Sequence, residues 1–361
     1  MKKRRRDLTV CLLLGLIGVM GCQPDRGQQG EEERDRSACA TDIPPSLPKR
    51  EAGNGIYHWK TRFDLTSEQL EFLQRHEVKR IYLRLFDVEY EPGSPEKAVP
   101  IATTRFTCSL PEGVEYVPTV YITLEALRAM LGKEVLLADR IVTRILAMSK
   151  AHAFPKVCEV QLDCDWTEST RDSYYRLCSS ARKILHTKGL LLSSTIRLHQ
   201  LRSEAPPVDR GVLMLYNTGA FQKPDTKNSI LDEASVRPYL KNVDYALPLE
   251  IAYPTFAWGL WFRNNRFQAI LRTTDYGNGE YYERLANGTL RVRKDHYLER
   301  HALRKGDVIR LETSDYDEIM KVKRLAEKSL PASSAILYHL DMNNLKNYTP
   351  NEVNNIYHIL P

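Results

Sequence analysis

The sequence predicts an α/β fold: a (β/α)8 TIM barrel with a β-hairpin inserted after its seventh strand. Three observations carry that prediction. Eight stretches with strand character lie between residues 55 and 340, most of them followed by helical patterning. No glycine-rich phosphate loop follows the first of them, which argues against an open doubly wound sheet. The stretch Val157–Thr170 alternates, with Val160, Leu162 and Cys164 on one face and Glu159, Gln161, Asp163 and Asp165 on the other. A polar-faced strand that runs into a helix suits a barrel, where inward residues at strand ends line a site.

Gly55 to Lys60 is the first predicted strand, and Thr66/Ser67 caps a short helix to Arg75. Arg80 to Phe86 is the second strand and ends at Asp87. A Pro/Gly-bearing excursion from Glu89 to Gly113 follows. Tyr116 to Ile122 is the third strand, and Leu124 to Ala153 is helical with a break near Gly132. The Val157–Thr170 stretch supplies the fourth strand, with Ser169/Thr170 capping a helix from Arg171 to His186. Strands five to eight are Gly189–Ile196, Gly211–Tyr216, Val243–Leu249 ending at Glu250, and Ala335–Leu340 ending at Asp341. Asp315–Ser329 and Thr349–Leu360 are the last two helices. An insertion spans about residues 272–311, where Asn287-Gly288 between Tyr281–Leu285 and Thr289–Val292 signals a tight hairpin. Its position after the seventh strand puts it on the face where barrel sites lie.

The first 21 residues read as a signal peptide. Lys2, Lys3, Arg4, Arg5 and Arg6 precede an apolar run, Leu8 to Met20, that is too short to span a bilayer as a permanent anchor. Val19-Met20-Gly21-Cys22 then resembles a bacterial lipoprotein box, so Cys22 is expected to carry the lipid that holds the chain to the cell envelope, on the periplasmic or the outer face. Residues 22–54 are polar and aperiodic and read as a flexible tether, and residues 55–361 as the barrel. The full chain carries a formal charge of +6, but five basic residues and one acid lie in residues 1–21, leaving +2 on the remainder. A nucleic-acid partner therefore loses its support. No His/Cys cluster has metal-ligand spacing, no cofactor is implied, and a monomer is expected. Cys39, Cys108, Cys158, Cys164 and Cys178 include no CxxC pair. Cys164 and Cys178 suit apolar packing, and the disulfide state of all five stays open.

Leu162-Asp163-Cys164-Asp165-Trp166-Thr167 resembles the fourth-strand DxxDxDxE signature of family 18 glycoside hydrolases and their chitinase-like relatives. Asp163 and Asp165 match its second and third acidic positions, Val160 occupies the first, and Thr167 stands where the catalytic glutamate would be. Glu168 is one residue late. Met214-Leu215-Tyr216-Asn217 is similar to the family's sixth-strand MxYD motif, with Asn217 in place of the acid. The resemblance implies a barrel that handles N-acetylated carbohydrate. Asp165 would orient the substrate's acetamido group, Asp163 would be its charge partner, and Tyr216 would hold the acetamido group.

Since Thr167 cannot serve as proton donor, the inherited mechanism fails as written. Two close carboxylates raise one another's pKa, so Asp165 could itself be an acid. Glu250 or Asp341 could supply a second carboxylate across the mouth. Asp87, Tyr216, Asn217, Trp258, Trp261 and Asp341 are the candidate substrate contacts, the tryptophans because aromatic rings stack on sugars. Three readings stay open: a glycoside hydrolase, a non-catalytic glycan binder, and an assembly lipoprotein whose strand-end face binds a protein.

Overall fold

The structure, a computed structural model, describes residues 46–49, 51–273, 275–331 and 334–358. The signal segment, Cys22, Cys39 and most of the tether lie outside the described residues. Eight parallel strands close into a ring: β1 (Asn54–His58), β2 (Val78–Tyr90), β3 (Glu115–Ile122), β4 (Glu159–Asp163), β5 (Leu191–Ile196), β6 (Arg210–Met214), β7 (Leu249–Pro254) and β8 (Ala335–Tyr338). Each pairs in parallel with its neighbour, and β1 pairs with both β2 and β8 to close the barrel. The end of β2 continues past the ring and pairs antiparallel with Ala98–Ile101, which gives structure to the excursion.

The helices follow from their caps and periodicity. Thr66 and Gln69 form a reciprocal capping box at the start of α1 (Ser67–Arg75). Gly132, at φ +78°, separates α2 (Leu124–Ala129) from α3 (Glu134–Ala151), a backbone angle that glycine adopts without strain. The remaining helices are α4 (Arg171–His186), α5 (Glu233–Leu240), α6 (Tyr316–Ser329), α7 (Met342–Leu345) and α8 (Pro350–Tyr357). The main core lies between helices and barrel: Val160, Leu162 and Cys164 of the fourth-strand segment pack there with Leu177, Cys178 and Ala181 of α4. Cys108, Cys164 and Cys178 are free thiols. A second, smaller cluster fills the lumen with Tyr57, Tyr82, Val117, Val212, Met214, Tyr216, Ala252 and Ile336. Strand alternation therefore sends one set of side chains outward and the other inward, and the lumen is a packed interior.

Two boundaries differ from the sequence reading. The seventh strand begins at Leu249 and does not end there. Pro248 has no N–H for a ladder and ends the preceding loop, while Leu249, Ile251 and Tyr253 carry the outward apolar alternation. The insertion is also larger than a hairpin. Ala257–Arg263, Arg266–Leu271, Val308–Thr313, Leu290–Val292 and Tyr282–Arg284 form a five-stranded antiparallel sheet that starts straight after β7. The Asn287-Gly288 turn joins the last two of these strands, with Gly288 at φ +81°. Among the described residues no helix is long and apolar enough to cross a membrane.

Candidate functional site

Two clusters of charge lie inside the barrel, one at the amino-terminal ends of the strands and one at the carboxy-terminal rim. Glu250 belongs to the first. It is the second residue of β7, level with Val212, and accepts from Tyr82 Oη at 2.5 Å and Arg80 Nη1 at 3.4 Å. Arg80 also lies 3.5 Å from Glu115, and Arg210 lies 3.9 Å from Glu250. The strand shift thus moves Glu250 from the mouth to the floor, and it does not face Asp165 across the rim. A wholly buried carboxylate held by two arginines and a tyrosine closes the base of the lumen.

Asp163 and Asp165 belong to the second cluster. Asp163 ends β4 beside Tyr121, which is also level with Asp87 of β2. Asp163 is buried, accepts from Thr195 Oγ1 at 2.6 Å and from Arg197 Nη2 at 3.4 Å. Arg197 also donates through Nε to Asp165, so one guanidinium ties both carboxylates. Burial pushes the Asp163 carboxyl up to about 6; Arg197 pulls it back, and the charges of Asp165 and Asp87 add to the rise. Asp165 is the open member, with its side chain 36% exposed.

Sequence reasoning missed Arg197. The signal was present: β5 ends at Ile196 as the sequence reads it, but Arg197 follows in extended backbone and so continues the face of Ser193 and Thr195 by the two-residue period. The turn that follows fixes the arginine, because Gln200 accepts from the Arg197 amide at 2.8 Å and donates to the Trp166 carbonyl at 2.9 Å.

Thr167 sits outside this cluster. It is exposed at the start of the turn Glu168–Thr170, where its hydroxyl contacts Ser169 and Thr170. Glu168 is exposed and paired with Arg171 at 2.7 Å, so it does not stand in for the absent glutamate. Asp87 is buried and bound to Arg84 through Nε at 2.8 Å and a second contact from Nη2. Asp341 caps α7 and pairs with Lys60 at 3.3 Å. Asn217 is exposed at φ +55°, a conformation asparagine tolerates.

Aromatic rings surround the rim. Tyr216 is buried beneath Tyr338, stacked at 4.7 Å, and against Phe256 at 6.0 Å. Its hydroxyl is covered and has no hydrogen-bond partner among the described residues, and burial pushes its pKa well up. Tyr338 continues to Trp59 at 5.9 Å, and Phe256 to Trp258 at 5.2 Å. Trp59, Tyr121, Phe256, Trp258 and Tyr338 are all half-buried. Trp258 is held by Glu312, which accepts its indole N–H at 2.8 Å and also takes Ser229 Oγ at 2.5 Å and Arg310 Nε at 2.8 Å. Arg310 in turn donates to the carbonyls of Phe221, Lys223 and Pro224, which clamps the loop after β6 to the insertion. Trp261 points to the opposite face of the insertion sheet, buried in its own core and bonded to Asp307 at 2.8 Å, so it is no rim contact. Among the described residues no group of three or more His, Cys, Asp or Glu is placed to hold a metal ion.

No family profile matches the chain, and no curated protein matches it in sequence. Its fold is similar to solved structures of chitinases and of a spore cortex-lytic enzyme. The spore cortex-lytic enzyme SleL of Bacillus megaterium aligns at TM-score 0.51 and 14% identity over 87% of this chain and 75% of its own. The C-terminal domain of a protein named as a chitinase from Desulfitobacterium hafniense aligns at 0.51 and 11% over 84% and 99%. The Group IV chitinase of Ostrinia furnacalis, solved with allosamidin, aligns at 0.50 and 10% over 85% and 98%. At these identities the likeness establishes the fold, a (β/α)8 barrel, and the chemistry rests on the residues themselves.

Proposed function

We propose that the barrel mouth binds a glycan, an N-acetylated sugar chain by the motif resemblance, without cleaving it, on a lipoprotein held in the bacterial cell envelope through Cys22. One observation carries the reading. The Asp165–Arg197 pair reaches solvent at a rim walled by five half-buried aromatic rings. A sugar ring presents an apolar face and a belt of hydroxyls, so a site for it needs aromatic planes beside charged donors and acceptors. The rim supplies both.

The same geometry disfavours hydrolysis. Asp163, the carboxyl with raised pKa, lies under Arg197 and is only 3% exposed, out of reach of a glycosidic oxygen. Glu250 is at the floor, and Thr167 offers only a hydroxyl already engaged in the turn. Asp87 and Asp341 are each committed to a cation. Tyr216 supports the rings above it, and Asn217 and Trp258 edge the mouth.

A thermal-shift screen of the mature chain against glycans, with triacetylchitotriose among them, tests the reading. Stabilisation of the wild type that disappears in Asp165→Ala supports it. No shift with any glycan overturns it and favours an assembly lipoprotein. Anchoring is tested separately: Cys22→Ala moves the protein from the membrane to the soluble fraction if Cys22 carries the lipid.

A further inference from the structure

The insertion sheet has two faces, and only one of them serves the barrel. Trp258, Leu260 and Phe262 share a face with Glu312, Arg310 and Val308 across the central strand pair, and this face meets the loop after β6. Gly259 and Trp261 share the other face with Leu311 and Ile309, and Leu290 extends it. That face carries its own apolar cluster and bears a depression of about 430 Å3 lined by Asp275, Tyr276, Gly277, Tyr282, Arg284, Leu290 and Leu311. By strand alternation it lies on the side of the sheet away from the clamped loop.

We propose that this depression is a second glycan site, taking one pyranose unit of a longer chain. Its floor is apolar, Leu290 and Leu311. Its wall is a pair of tyrosines, Tyr276 and Tyr282, with ring centroids 5.0 Å apart and edges to faces. Both rings are fixed in advance. Tyr282 Oη is bonded to His296 Nε2 at 2.7 Å, and His296 Nδ1 lies 2.9 Å from the Lys294 carbonyl. Tyr276 stands over Gly259, where a Cβ would come within 2.4 Å of the tyrosine oxygen; only glycine leaves that seat. The Tyr276 hydroxyl, buried over Gly259, has no hydrogen-bond partner among the described residues. On the exposed rim stand an acceptor, Asp275, and a donor, Arg284, of opposite charge.

Immobile aromatic rings lower the entropy cost of binding, and a paired acceptor and donor suit vicinal hydroxyls better than a charged group. The volume falls in the range of small-molecule sites. The inference rests on the glycan reading of the mouth for its choice of ligand, but not for its residues. Two sites on one chain would raise the avidity of an envelope protein for a polymer without tight binding at either.

Calorimetric titration of the mature chain with triacetylchitotriose tests both, using Arg284→Ala and Tyr282→Ala for the outer site and Asp165→Asn for the mouth. Arg284 is exposed and gives one hydrogen bond, to the Gly288 carbonyl at 3.1 Å, so thermal unfolding of each variant beside the wild type separates loss of the site from loss of the fold. Two equivalents bound by the wild type, with one of them lost or weakened at least about tenfold in each variant, support the proposal. Two equivalents retained in both outer-site variants, or a single equivalent in the wild type that only Asp165→Asn removes, overturn it. A single equivalent lost in Arg284→Ala but kept in Asp165→Asn sustains the outer site and overturns the mouth. No binding by the wild type overturns both.

Discussion

At the floor of the barrel Arg80 lies between Glu115 and Glu250; at the rim Arg197 lies between Asp163 and Asp165. Each is an arginine between two carboxylates, and the surroundings differ. Arg80 and Glu250 are 2% and 1% exposed, with Tyr82 adding a further donor to the carboxylate. Arg197 is 18% exposed, and Asp165 twice that. At the floor the central pair is sealed and only the edge residues Glu115 and Arg210 reach water, at 11% and 16%, so the cluster braces the fold. The rim instead has an open carboxylate at a wall of aromatic rings, with capacity left for a ligand. Exposure, rather than the presence of paired carboxylates, separates support from site.

The largest expected effect tests this contrast directly. Arg80→Met takes from the buried Glu250 the arginine at 3.4 Å and should cost about 3–5 kcal/mol in urea unfolding at pH 7. Arg197→Met should cost distinctly less, about 1–2 kcal/mol, because Asp165 can turn to water and the buried Asp163, already raised to about 6, can take up a proton. Equal losses would erase the distinction.

Next in size is a pH effect at the rim. The Asp163 carboxyl rises from an ordinary 3.8 to about 6 in the folded chain. Between those values the folded chain keeps a proton that the unfolded chain has released. Stability from this group therefore falls as pH rises from about 4 to 6 and stays lowered above, by at most about 3 kcal/mol. Asp163→Asn should lack that fall, so its stability relative to wild type should increase across the window. A constant difference from pH 4 to 7 would contradict the assignment.

A smaller effect concerns the wall. Glu312→Gln weakens the bonds to Trp258, Ser229 and Arg310, and should lower stability by about 1–2 kcal/mol. It should also shift tryptophan emission as the Trp258 indole is freed; unchanged emission would mean that Glu312 does not hold the ring. The smallest expected effect is none. Thr167→Glu should give no detectable release from a fluorogenic chitotrioside, because the side chain at 167 faces the turn and Arg197 still ties Asp165.

The ring of eight strands was legible because outward apolar alternation recurs in every barrel strand. The Asp163/Asp165 face could be read for the same reason. What failed was local. Val243–Leu249 is as apolar as the strand that follows it, and only the missing N–H of Pro248 marks the true start, so Glu250 was placed at the wrong end. Arg197 was lost because it stands one residue beyond a strand end that was read correctly, where the sequence reading looked for acids and aromatic rings and not for a cation. Trp258 and Trp261 lie three apart on one strand and therefore face opposite ways, which the two-residue period states but an aromatic cluster conceals. Two partners of Glu312, Trp258 and Ser229, lie more than fifty residues before it in the chain, and no local pattern announces them.

Fluorescence titration with triacetylchitotriose is the most direct test, since Trp59 and Trp258 border the mouth and report its occupation. Asp165→Asn should retain the fold and weaken the fluorescence-detected affinity by about tenfold to a hundredfold, the worth of one charge-assisted hydrogen bond. An affinity equal to that of the wild type in a folded Asp165→Asn variant would contradict the assignment of the rim pair to glycan binding.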